Sequence, residues 1–124
     1  MKAIETKGLT KFYGKARGIT GLDLAVEEGE FFGFIGPNGA GKSTTIRILT
    51  GLIKSSGGSA SIFERDVSGK KDEILADIGY LPSEAVFYNG MKVKDVIRLS
   101  ADLRKRDCSA EATILCDRLQ LDTE

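Results

Sequence analysis

The chain has 124 residues, enough for one domain, and its 18 Lys and Arg are balanced by 18 Asp and Glu. That balance leaves no basic face for nucleic acid or an anionic membrane. No apolar run approaches the ~18 residues that span a bilayer, and no signal-peptide core opens the chain, so a cytosolic location is expected.

The first third reads as β structure. "AIETKGLTKFYG" alternates loosely, and "GLDLAVEEGE" sets Leu22, Leu24 and Val26 on one face against Asp23 and Ala25 on the other. "EFFGFIG" is short and almost wholly apolar, as a central strand covered on both faces should be. It runs into "GPNGAGKST", residues 36–44. "KSTTIRILTGLIK" then places Ile46, Leu49, Leu52 and Ile53 at helical spacing. "SSGGSASIF" reads as a turn and a strand, and "KKDEILADIGYLP" as a short helix followed by a strand that Pro82 ends.

Beyond Pro82 the pattern turns helical. Val93, Val96, Ile97 and Leu103 form one stripe, and Ala112, Leu115, Cys116 and Leu119 form another. Cys108 and Cys116 make no C-x-x-C pair. On one helix they would lie ~12 Å apart, too far to bridge, so free thiols are expected. The chain contains no histidine. That excludes a Ser-His-Asp triad, a Cys-His pair and any histidine metal site within these residues.

Gly36, Gly41, Lys42 and Ser43 satisfy G-x-x-x-x-G-K-[ST] in full, between a predicted strand and a predicted helix. The spacing has a chemical reason. Backbone N–H groups of residues 38–44 (Asn38, Gly39, Ala40, Gly41, Lys42, Ser43, Thr44) turn toward a β-phosphate, and glycines let the backbone approach without a Cβ collision. The helix that follows directs its positive dipole end at the same anion. Lys42 reaches the β- and γ-phosphates, and the Ser43 hydroxyl ligates Mg²⁺. ATP and Mg²⁺ are the expected ligands. A P-loop alone names no enzyme, because GTPases, nucleotide kinases and transport ATPases all carry one.

The surrounding residues resemble the ATP-binding-cassette (ABC) family along essentially the whole chain. "GLTKFYG" resembles its opening strand and adenine-stacking loop, the stretch from "EEGEFFGFIG" to "LIKSSGG" follows its pattern closely, and "IGYLPSE" resembles the strand entering its Q-loop. Within the family, "IGYLPSE" and "VFYNGMKVKD" look most like ATPase subunits of bacterial ABC-2-type exporters.

The resemblance implies an α/β P-loop nucleotide-binding domain in part: a β-rich ATP-binding core at 1–90 and the start of a helical subdomain at 91–124. It implies that the Tyr13 ring stacks on adenine; the alternative is an aromatic packed on the core. In the family a Gln follows the Pro of "GYLP". Here Ser83 and Glu84 follow, so Glu84 is a candidate Mg²⁺ ligand, with a solvated loop carboxylate as the alternative.

Two look-alikes are set aside. "SSGGSA" stands directly after the P-loop helix, where the family has a turn rather than its LSGGQ signature. "LDLAVEE" precedes the P-loop, whereas a Walker B strand follows it. No signature, Walker B Asp-Glu pair or switch histidine occurs in these residues, so the resemblance implies a chain that stops before them. It also implies a membrane permease as partner, with residues 85–91 as a contact, a second ATPase subunit, and a place at the inner face of the membrane. A small P-loop kinase and a soluble non-transport ABC ATPase are the alternatives.

Overall fold

The computed structural model describes residues 1–124, the side chain of Arg17 excepted. It forms two compact units, Met1–Tyr80 and Leu81–Glu124.

The first unit is built on two long strands, β1 (Lys2–Tyr13) and β2 (Ala16–Glu27), paired antiparallel from Lys2↔Glu27 to Tyr13↔Ala16. The third and fourth strands in space are β3 (Gly57–Ile62), which pairs antiparallel with the other edge of β1, and the short β4 (Arg65–Asp66), giving the order β2-β1-β3-β4. The alternation expected of β2 holds, with Val26 buried, Leu22 and Leu24 half-buried, and Asp23 and Ala25 exposed. Helices α1 (Lys42–Leu49) and α2 (Lys71–Asp77) complete the unit.

Leu9, Ile19, Ala60 and Ile62 from the strands meet Ile48 and Leu49 of α1 and Ile74 of α2 in one core. Three buried threonines satisfy their hydroxyls on backbone oxygens: Thr6 on Leu22, Thr45 on Gly41 and Thr50 on Ile46, each at 2.9 Å. Burying them therefore leaves no unpaired polar atom.

The inner face of α1 is Thr45, Ile48 and Leu49, not the expected row of Ile46, Leu49, Leu52 and Ile53. The helix is too short for that row. Leu52 N–H donates to Arg47 O at 2.8 Å and Gly51 N–H to Ile48 O at 2.9 Å, with Gly51 at φ +69°. This is a Schellman closure, and it puts Leu52 outside the helix.

Residues 30–37 form no strand, contrary to expectation, and neither do residues 78–81. Apolar composition is only half of what a strand needs. The other half is a neighbouring ladder, and among the described residues none forms on this run, although β2 leaves its outer edge open. Phe31 and Ile35 are left 105 % and 94 % exposed. Of the turn and strand read in "SSGGSASIF", the strand occurs and takes in both glycines, which leaves only a bend at Ser56 where the turn is expected.

The second unit contains α3 (Val93–Leu103) and α4 (Ser109–Arg118). Their inner stripes are narrower than expected: Val93, Val96, Ile97, Ala112 and Cys116 are half-buried, while Leu103, Leu115 and Leu119 are exposed. Both cysteines are free thiols. Each helix ends in the same kind of turn as α1, but with Lys105 (φ +51°) and Gln120 (φ +52°) in the left-handed position. Arg106 N–H donates to Ala101 O at 3.1 Å and Leu121 N–H to Cys116 O at 2.9 Å.

Candidate functional site

The site is the turn that carries residues 36–41 into α1. Gly39 (φ +81°) and Gly41 (φ +99°) take backbone angles that L side chains rarely adopt, which is why glycine stands at both. A Cβ on Gly36 would lie 3.4 Å from Ala40 Cβ and 3.9 Å from Lys42 Nζ, in the space the turn encloses.

Lys42 curls over this space and donates to the carbonyl oxygens of Gly36 and, at 2.9 Å, Pro37. The first α1 amide to find a backbone acceptor is Thr45, bonded to Gly41 O at 2.9 Å. The amides of Gly41, Lys42, Ser43 and Thr44 precede that bond, in the four positions that a helix start leaves without intrahelical partners. The helix has no side-chain cap and no acidic residue in its first turn. A cluster of N–H donors, a positive dipole end and an ammonium group therefore converge with no carboxylate among them. That donor set fits a polyphosphate.

The turn is seated on β2. A Cβ on Gly41 would come within 2.1 Å of Ile19 Cγ2. Ile19 is a buried core residue 22 positions upstream, and nothing in its sequence context marks it as the support of the phosphate turn. Gly41→Ala should therefore destabilise the unit by about 1–3 kcal/mol from the positive φ alone, with the Ile19 overlap added. Gly39→Ala meets no atom within 4 Å and carries only the first cost. Thermal melts followed by circular dichroism should rank wild type above Gly39→Ala, and Gly39→Ala above Gly41→Ala. Equal melting points for the two variants would exclude the seat on Ile19.

Tyr13, at the end of β1, stands beside this turn. Its hydroxyl is 3.5 Å from Thr44 Oγ1, and the residue is 41 % exposed. Phe12 faces a different part of the turn: it lines a cavity of about 510 Å³ with Ile19, Phe34 and the turn's own Ala40 and Lys42, a lining that does not include Tyr13. Alternation along β1 thus sends the two aromatics to different sides. Tyr13 and the residues of the turn, Gly36, Asn38, Gly39, Ala40, Gly41, Lys42, Ser43 and Thr44, all belong to the first unit, with Ser43 exposed in the first turn of α1. Glu84 lies in the second unit, in an exposed segment without helix or strand. Among the described residues, no three His, Cys, Asp or Glu side chains form a metal-binding group.

A glycine turn entering a helix N-terminus, with its lysine folded over the turn, defines a P-loop nucleotide-binding fold. Residues 19–123 match the ABC transporter family, and the chain belongs to it.

Over 100 residues it is 39 % identical to the bacitracin transport ATP-binding protein BcrA of Bacillus licheniformis, a match covering 81 % of this chain and 33 % of that protein. Over 73 residues it is 51 % identical to the daunorubicin/doxorubicin resistance ATP-binding protein DrrA of Streptomyces peucetius, covering 59 % and 22 % respectively. The chain thus spans a third or less of the length of these relatives. The solved structure of an ATP-binding subunit of an ABC transporter superposes with a TM-score of 0.81 at 28 % identity, covering 96 % of this chain and 51 % of that one. No helix among the described residues is long and apolar enough to cross a membrane.

Proposed function

We propose that this chain is the ATP-binding portion of an ABC transporter ATPase subunit that couples ATP binding and hydrolysis to export through a membrane permease. The observation that carries the reading is the convergence of the free amides of α1 and the Lys42 ammonium on one glycine turn. Export as the direction is supported by relatives named for bacitracin transport and for daunorubicin resistance.

In this reading the amides of residues 38–44, apart from Ala40 whose N–H is donated to Pro37 O at 3.1 Å, and the Lys42 ammonium hold the β- and γ-phosphates, and Tyr13 stacks on adenine. Mg²⁺ keeps several waters and takes few protein ligands beside phosphate oxygens, so the Ser43 hydroxyl alone is enough protein for the ion, and Glu84 stays a candidate ligand on the strength of its sequence position. Residues 1–90 form the ATP-binding core, and 91–124 begin the helical subdomain. Calorimetric titration with Mg·ATP tests the reading. Heat of binding that ADP suppresses is expected, and its absence in folded protein would remove the basis of the proposal.

The permease contact falls on residues 85–91. Val86, Phe87 and Tyr88 are exposed, and the segment closes in a turn in which Met91 N–H donates to Tyr88 O at 3.3 Å, with Gly90 at φ +83°. Exposed aromatics next to a methionine suit a groove for a partner's helix. The subunit would then work at the inner face of the membrane, paired with a second ATPase subunit. A cysteine at Asn89 should cross-link to cytosolic loops of the permease. Failure with the complex intact would move the contact elsewhere.

A further inference from the structure

We infer that Lys11 is a positioning residue for the Tyr13 ring, holding one face so that a purine meets the other; the inference rests on the adenine-stacking role proposed for Tyr13. Lys11 and Tyr13 are two positions apart on β1 and so project to the same side. The Lys11 ammonium lies 5.5 Å from the centre of the Tyr13 ring, within the ~6 Å range of a cation–π contact.

The same ammonium donates to Lys54 O at 2.6 Å, just past the turn that closes α1. It is therefore tethered, not free to sample solvent. Two more bonds join the same places: Ser56 N–H donates to Thr10 O at 2.8 Å, and Phe12 N–H to Ser56 Oγ at 3.0 Å. The end of β1 is thus clipped to the exit of the helix whose entrance is the phosphate turn. At that entrance, Thr44 Oγ1 stands 3.5 Å from the Tyr13 hydroxyl.

The ring is in this way located against both ends of α1, which is ~12 Å long at 1.5 Å per residue. One face is taken by a charge that draws on its π-electrons, and the other face is left for an electron-rich base. A lysine that merely tied β1 to residue 54 would affect every ligand of the turn equally. A lysine that sets the ring affects only ligands with a base.

The test compares dissociation constants for Mg·ATP and for inorganic tripolyphosphate, by calorimetry, in wild type, Lys11→Met, Lys11→Arg, Tyr13→Ala and the double variant Lys11→Met/Tyr13→Ala. Lys11→Met should weaken ATP about two- to five-fold and leave tripolyphosphate unchanged, the range of an exposed cation–π contact. Lys11→Arg, which keeps charge and donors, should match wild type. Lys11→Met should cost nothing further once Tyr13 is alanine.

Equal losses for both ligands, an unchanged ATP affinity in Lys11→Met, or the same loss without Tyr13 would each overturn the inference. If Tyr13→Ala itself leaves ATP affinity intact, the stacking role falls and the inference falls with it. If Tyr13→Ala weakens ATP while Lys11→Met does nothing, only the Lys11 inference falls.

Discussion

Lys42→Ala should weaken Mg·ATP binding by roughly 30- to 700-fold while leaving the fold in place. Among the described residues its ammonium is the one side-chain charge bound to the glycine turn, held there by the Gly36 and Pro37 carbonyls. A charge-assisted contact with a largely desolvated phosphate accounts for about 2–4 kcal/mol, and each 1.4 kcal/mol is tenfold in affinity.

Stability should respond far less. The Pro37 carbonyl is exposed and the Gly36 carbonyl half-buried, so water can replace the lost donor, and Lys42 is not part of the hydrophobic core. Calorimetry alongside a thermal melt separates the two effects. Unchanged ATP affinity in a folded variant would sink the phosphate-site assignment. A collapse of the melt would show that the lysine's contacts with the turn, and not its charge, are what the chain needs.

The glycine turn before α1 was legible in the sequence because its geometry is local. Gly36, Gly41, Lys42 and Ser43 sit within eight positions, and the shape they give the turn follows from backbone angles that favour glycine. The end of α1 carries a comparable local mark in Gly51, whose left-handed backbone sets Leu52 outside the helix. The ends of α3 and α4 carried none, since Lys105 and Gln120 occupy left-handed positions where glycine is usual.

What stayed illegible depends on distant partners. The run at 30–37 has the composition of a central strand, but a strand is a property of a pair. Ile19 under Gly41 and Lys54 under Lys11 are joined only by folding, across 22 and 43 positions. The narrow stripes of α3 and α4 have a similar cause: helical periodicity names a face, and only a packed neighbour decides how much of that face is covered.

The purified 124-residue chain should bind ATP and turn it over no faster than a contaminant-level background, several orders of magnitude below a complete ATPase. In the proposed reading, binding draws on the turn, the helix dipole and Tyr13, all within the first unit. Hydrolysis also needs a positioned water. In this family a carboxylate just after Walker B holds that water, and the signature of an opposing subunit covers the γ-phosphate. These 124 residues contain neither sequence, and no histidine to act as a switch.

Electrostatic positioning supplies most of the rate in phosphoryl transfer, so the turn alone holds the nucleotide without activating it. The unpaired run at 30–37 adds a physical consequence. With Phe31 and Ile35 in water and no ladder on their backbone, copies of the chain should self-associate as concentration rises, which light scattering would register. The decisive measurement is phosphate release by wild type and by Lys42→Ala, purified identically. A contaminating ATPase gives the same rate in both. Steady turnover in wild type that vanishes in Lys42→Ala would instead mean that this chain positions its own water, and the division between binding here and chemistry elsewhere would have to be abandoned.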